Sequence, residues 1–430
     1  MVSINNQDHQ SSQPGVVTVA TATASTIVIV FFRIVCQAIV LILTARLLGV
    51  DNYGVIAALV SISLVLGPWS GLGYDFLALR AVSRDPSKSS DCFWQGAKQI
   101  AITAPPMIIA CVAVASVWFN EYFRAELVAL ILIAELLCLR LTELIAKVFQ
   151  GNSSYRKMAV TRLMNSVARL LVLAPVAAFY SQLTALQWGW VYCVAAVMSM
   201  IFSIAFLKIC IGISAPTPNK GHVSASDGMH FAAGVMSTRL SSEFDKSLVL
   251  GLAGTAGAGI YGAGYRLISL AVAPVISFVN VVVTSMFKLH RDTERTDLSE
   301  RSLYLCGVAV AYGAAIGSLM WLFLPDVAAM VLGDDFRALS AGLLPLALLP
   351  TPIGCRLVGE QAMAALGKFR IRTTAQWSIA ALAVSLNLLL IPKVGWTAAA
   401  WVLLAAETSL AICYVTAIIR ARLGGRWNTI

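Results

Sequence analysis

Leu47-Leu48-Gly49 followed by Asp51-Asn52-Tyr53-Gly54, and Leu252-Ala253-Gly254 followed by Gly259-Ile260-Tyr261-Gly262, each close a long apolar run, about half the 430-residue chain apart. Glycine at the end of an apolar run marks a turn, because it reaches backbone conformations closed to other residues. Tyr-Gly returns after 208 residues, so the sequence predicts two similar halves. The surroundings of the turns decide what those halves are. The run before the first turn extends from about Val16 to Leu48 and carries Arg33 near its middle. A helix needs about 20 apolar residues to cross a bilayer. This run is long enough.

The same holds along the whole chain. Apolar residues make up 59% of it and charged residues 12%, whereas soluble domains run near 45–50% and about 25%. Breaking the apolar runs at charges and turn residues predicts twelve spans, at 18–45, 52–72, 97–118, 126–148, 158–180, 186–210, 229–251, 258–287, 302–324, 338–364, 372–392 and 396–419. The fold class expected is an all-α integral membrane protein, twelve transmembrane helices in two six-helix halves around a central cavity. Loops of at most about 25 residues leave no room for an extramembrane catalytic domain.

Orientation follows from the loops, because cytoplasmic loops collect Lys and Arg. With the N-terminus inside, nineteen basic residues fall on the inner side and four (Arg46, Arg124, Arg337 and Lys393) on the outer. Both termini are therefore expected in the cytoplasm, and the net charge of +10 requires no nucleic acid. The expected organisation is a cytoplasmic tail at 1–17, an N-terminal half at 18–212, a cytoplasmic linker at 213–228, a C-terminal half at 229–419 and a tail at 420–430. Met1 to Gly15 is polar and lacks Lys and Arg, unlike the basic opening of a secretory signal, so the first span reads as retained. Two halves of six helices, both starting inside, are parallel repeats, a pattern found in transporters. Prolines inside the spans, among them Pro68, Pro105, Pro106, Pro175, Pro274, Pro345, Pro350 and Pro352, predict bent helices.

The four histidines (His9, His222, His230 and His290) fall in the tail, loops or helix ends, and the nine cysteines show no CxxC spacing. No metal and no cofactor is expected. The informative residues are charges at bilayer depth, which cost about 2.5–3.5 kcal/mol each at a helix centre and so face a polar cavity or each other. Arg239 with Glu243, Arg356 with Glu360 and Arg140 with Glu143 have the spacing of pairs on one helix face. Arg33 has no acidic neighbour in its span, Arg162, Asn165 and Arg169 form a polar stripe, and Arg266 stands two turns into the eighth span beside Tyr265. Guanidinium groups stay charged and match phosphate oxygens bidentately. Arg33, Arg162, Arg169, Arg239, Arg266 and Arg356 are thus candidate cavity cations for an anionic headgroup. Glu407 either pairs with an arginine across the bundle or takes a proton or sodium ion; Asp245 and Glu135 are the other candidates for ion coupling.

Ala45-Arg46-Leu47-Leu48-Gly49-Val50-Asp51-Asn52-Tyr53-Gly54 and Gly71-Leu72-Gly73-Tyr74-Asp75-Phe76, running on to Arg80, carry a family resemblance. Asp245-Lys246 leading to Gly259-Ile260-Tyr261-Gly262 extends it. Asn387-Leu388-Leu389-Leu390-Ile391-Pro392 with Gly395 and Ala398-Ala399-Ala400 completes it. In these segments and their order the chain resembles the Wzx-type or PST-type polysaccharide flippases of the multidrug/oligosaccharidyl-lipid/polysaccharide exporter superfamily. The resemblance implies a MATE-like, V-shaped bundle in a bacterial inner membrane. It implies alternating-access transport of undecaprenyl-diphosphate-linked oligosaccharide units, coupled to a proton or sodium counter-ion. Expected partners are that lipid-linked oligosaccharide, membrane lipid and the polysaccharide polymerase or export machinery. Two other readings compete. A drug/cation antiporter of the same superfamily would favour an acidic cavity. A membrane polymerase or glycosyltransferase would need an acid/base constellation, for which Asp326, Asp334 and Asp335 are the nearest approach and read more simply as a solvated helix start.

Overall fold

The computed structural model describes residues 16–118, 124–212, 225–289, 295–366 and 368–423, and every regular element among them is helical. The expected tails 1–17 and 420–430 and the linker 213–228 lie largely outside the described residues. The first helix, α1 (Val16–Leu66), is 51 residues long, roughly 75 Å at 1.5 Å per residue and more than twice a bilayer core of about 30 Å. It folds back instead of running straight. Gly49 adopts φ 65°, ψ 177°, a region essentially reserved for glycine, and residues on both sides of it line one cavity. Helix α9 (Asp245–Leu289) repeats this at Gly254, with φ 81°, ψ 179°.

Between them lie α2 (Tyr74–Arg84), α3 (Ser89–Trp118), α4 (Ala125–Leu132), α5 (Leu139–Gly151), α6 (Tyr155–Phe179), α7 (Ala185–Ile211) and α8 (Ala225–Glu243). After α9 come α10 (Arg295–Leu332), a 3-10 stretch at Asp334–Gly342, α11 (Leu343–Leu348), α12 (Pro350–Ala365), α13 (Phe369–Val394) and α14 (Trp396–Arg422). A π-helical turn, Ile133–Cys138, joins α4 to α5.

Nine stretches among the described residues are long and apolar enough to cross a membrane. Two of them, Thr26–Trp69 and Gly228–Ile276, contain the glycine turns and so cross twice. The α4–α5 stretch crosses once more, its hydropathy lowered by Glu126, Glu135, Arg140, Glu143 and Lys147. The chain is a multi-pass integral membrane protein, with twelve spanning helices among the described residues. Several helices outrun the apolar spans: α3 begins at Ser89 and α10 at Arg295, and α2 fills a stretch read as loop. Charged residues are compatible with helix once it leaves lipid, so hydropathy marks only the lipid-bound part.

The repeat has a sharper register than Tyr-Gly implies. A Cβ on Gly54 would stand 2.1 Å from Thr255 O, and one on Gly259 would stand 2.0 Å from Val50 O. These reciprocal contacts relate Val50 to Thr255 and Gly54 to Gly259, and Gly49 to Gly254, all at an offset of 205 residues. Tyr261 matches Tyr53 in helix face, three residues along, and not in position. The sharp turns fall at these glycines, while Pro105, Pro106, Pro175 and Pro274 stay inside continuous helices.

Candidate functional site

The folded-back halves of α1 and α9, with α6 and α7, enclose a cavity of about 170 Å³, room for on the order of ten waters. From α1 it is lined by Gln37, Thr44, Tyr53 and Ser61; from α6 by Asn165 and Arg169; from α7 by Trp188 and Tyr192. Glu243, which ends α8, and Lys246, Tyr265 and Arg266 of α9 complete its polar wall.

Three cations therefore meet in one space, and they differ in how far they are neutralised. Lys246 Nζ lies 3.2 Å from Glu243 and 3.1 Å from Asp245, donates to Ser242 O at 2.9 Å and sits 3.5 Å above the Tyr265 ring. Its charge is spent inside the protein. Arg169 instead donates from Nη2 to Tyr192 Oη at 2.7 Å, its guanidinium 4.4 Å from the centre of that ring. Among the described residues no carboxylate lies within ion-pair distance of Arg169 or of Arg266, which is exposed to the cavity. Arg169 Nε and Asn165 Oδ1 are buried without a hydrogen-bond partner, an arrangement that costs free energy until something polar arrives. One uncompensated guanidinium thus comes from each side of the sequence repeat.

The other expected cavity cations sit elsewhere. Arg162 meets Glu143 of α5 at 2.5 Å, so the expected Arg140–Glu143 pair does not form and Arg140 turns to Asp75 at 3.5 Å. Arg33, half-buried in α1, has Arg162 and Glu143 as charged neighbours, outside the cavity lining. Arg239 pairs with Glu243 at 3.3 Å, as its spacing predicts. Arg356 is buried between Glu407 at 2.5 Å and Glu360 at 3.1 Å, and Glu360 also holds Arg372 and Gln376. Burial of a cation demands such partners, and they occupy the groups that an anion would need. Arg162 and Arg356 are engaged in this way, Arg239 is half-exposed and ion-paired to Glu243, and none of the three lines the cavity.

Of the ion-coupling candidates, Glu407 is occupied by Arg356, and Asp245 by Lys246 and the Tyr261 hydroxyl. Glu135 accepts a hydrogen bond from Tyr192 Oη. No cluster of three or more His, Cys, Asp or Glu side chains suited to a metal occurs among the described residues. The sequence reading missed Lys246, Tyr192, Trp188, Tyr53 and Tyr265 as lining residues. Polar-tipped aromatics inside apolar spans were the available signal, since a buried Tyr or Trp needs a partner for its O–H or N–H.

A family model described as "Polysaccharide biosynthesis protein" matches residues 42–304, more than half of the chain and a segment containing both glycine turns, Arg169, Lys246 and Arg266. The chain belongs to this polysaccharide biosynthesis protein family. The fold of this family member is that of the MOP superfamily transporters. It is similar to the inward-facing conformation of a multidrug resistance MATE family transporter (TM-score 0.69, 13% identity, covering 94% of this chain and 97% of that one). The outward-facing conformation of a multidrug resistance MATE family transporter gives a TM-score of 0.67 at 13% identity, covering 95% and 97%. A MOP superfamily transporter from Pyrococcus furiosus, reported to have a binding pocket of reverse polarity suggesting a different function, gives 0.63 at 14% identity, covering 95% and 93%. No curated protein matches the chain.

Proposed function

We propose that this polysaccharide biosynthesis protein is a flippase, carrying undecaprenyl-diphosphate-linked oligosaccharide repeat units from the inner to the outer leaflet of a bacterial inner membrane. The observation that carries the reading is the convergence of Arg169 and Arg266, without carboxylate partners among the described residues, on one cavity. A diphosphate brings several charge-dense oxygens that a guanidinium fork meets bidentately, and in a confined site that attraction far exceeds its value in bulk water.

Moving the unit from one leaflet to the other requires the cavity to face each side of the membrane in turn. Alternating access supplies that motion, with the polyprenyl tail left in lipid and a proton or sodium gradient driving the cycle. Both termini lie in the cytoplasm, and the delivered unit passes to a polymerase or export machinery outside. A drug/cation antiporter would want a net negative cavity. Here Lys246 is neutralised by Glu243 and Asp245, and Arg169 and Arg266 remain in the lining without a carboxylate partner among the described residues.

Deletion in an exopolysaccharide-producing host without a second flippase tests the reading. Polymer output should fall and the lipid-linked unit should accumulate in the inner leaflet, and a variant lacking both Arg169 and Arg266 should reach the membrane without restoring export. Normal polymer and normal leaflet distribution after deletion would defeat the proposal.

A further inference from the structure

Arg169 is the one cavity cation whose position is set by a chain of uncharged and remote groups. Its Nη2 donates to Tyr192 Oη at 2.7 Å, and Tyr192 Oη donates in turn to Glu135 Oε1. Glu135 is buried at 8% exposure and lies within the π-helical turn Ile133–Cys138. A π turn replaces the regular hydrogen-bond ladder, adds a residue to one turn of helix and recurs at functional sites. That extra residue re-aims the side chains beyond it by roughly 100°.

We infer that Glu135 and Tyr192 are positioning residues that hold Arg169 ready for an anionic headgroup while leaving its charge uncancelled. The inference rests on the cavity reading above and names how that cavity is prepared. A carboxylate placed directly on a guanidinium occupies the fork that an incoming phosphate needs, as Glu143 does for Arg162 and Glu407 for Arg356. A phenol has no formal charge and takes one N–H only. Left alone, however, its proton can rotate toward the cation and repel it. Glu135 removes that freedom: by accepting the phenol proton it turns a lone pair of Tyr192 Oη toward Arg169. Trp188 packs on the Tyr192 ring at 4.7 Å and 22°, which fixes the ring itself. The carboxylate is thus one residue removed from the guanidinium it serves, and this is why three helices are needed to present one arginine.

The test measures binding of farnesyl diphosphate, a short polyprenyl diphosphate, to the full-length protein in lipid nanodiscs by titration calorimetry, with melting temperature recorded for every variant. Tyr192→Phe and Glu135→Leu should each raise Kd at least tenfold. Glu135→Gln, whose amide oxygen still accepts the phenol proton, should stay within about threefold of wild type. Tyr192→Phe keeps the ring and tests the same bond if Glu135→Leu fails to fold. Equal loss in Glu135→Gln and Glu135→Leu would overturn positioning, because the charge of Glu135 and not its acceptor role would then matter. Unchanged Kd in Tyr192→Phe would overturn it as well. Arg169→Ala separates the two levels: strong loss there with an unaffected Tyr192→Phe sinks the positioning role alone, whereas wild-type affinity in Arg169→Ala sinks the cavity reading beneath it.

Discussion

Replacing Gly259 by alanine should pry open one end of the cavity. Gly54 and Gly259 pack against the carbonyls of Thr255 and Val50, and Gly73 and Gly228 make a second close approach, where added Cβ atoms would stand 2.3 Å from Gly228 O and 2.4 Å from Leu72 O; parting either contact should open the cavity from its side. The alanine methyl at 259 would lie 2.0 Å from Val50 O, against a normal C···O contact of about 3.3–3.6 Å, so the helices must separate by more than 1 Å. Overpacking of this kind costs about 1–3 kcal/mol. The gain in helix propensity on replacing glycine is present whether the seal is open or shut, so it cancels. The penalty falls on the closed state alone and shifts the equilibrium roughly 5–150-fold toward opening. The assay is labelling of Thr44→Cys, which lines the cavity, in a background without the nine native cysteines, using a membrane-impermeant maleimide on vesicles of either orientation. Gly259→Ala should speed labelling from the face that carries Gly49 and Gly254. Gly228→Ala should speed it from the other. If neither rate changes while the proteins remain folded, the glycine pairs are not the seals.

Glu407→Leu strips Arg356 of its closest carboxylate and should destabilise the protein by about 3–5 kcal/mol, read as a lower Tm in detergent; Arg356→Met added to it should recover much of that loss, and no recovery would refute the pairing. Arg162→Met with Glu143→Leu, which removes a whole ion pair, should leave export near wild type in complementation, whereas Arg266→Ala should abolish it; an inactive double variant with a normal Tm would return Arg162 to the cavity set. Gly49→Ala forces a side chain into φ 65°, ψ 177° and should cost about 1–3 kcal/mol in denaturant unfolding, while Gly234→Ala, with open space around its position, should cost nothing measurable.

The membrane class and the twelve crossings can be read from the chain because they depend on local hydropathy and on glycine at turns. The fold-back at Gly49 and Gly254 follows from the same signal, and the Asn165/Arg169 stripe from helical spacing. Arginine partners were hidden by distance along the chain. Spacing reveals Arg239–Glu243, four residues apart, but not Glu143 for Arg162 or Glu407 for Arg356, 19 and 51 residues apart. Those two carboxylates engage Arg162 and Arg356, Glu243 engages Arg239, and Arg33 lies outside the cavity lining, which leaves Arg169 and Arg266 in the cavity beside Lys246 held between acids. The π turn at Glu135 has no sequence signature either, since packing against α7 outweighs local propensity. Lys246 was overshadowed by its neighbour Asp245, although of the two it is the lysine that reaches the cavity.

The most direct measurement is flipping itself. Purified protein in liposomes, supplied with a fluorescent undecaprenyl-diphosphate oligosaccharide in one leaflet, should move it to the other, and loss of Arg169 together with Arg266 should reduce the rate to that of empty liposomes. Equal rates with and without those two side chains would contradict the assignment of the cavity to an anionic lipid headgroup.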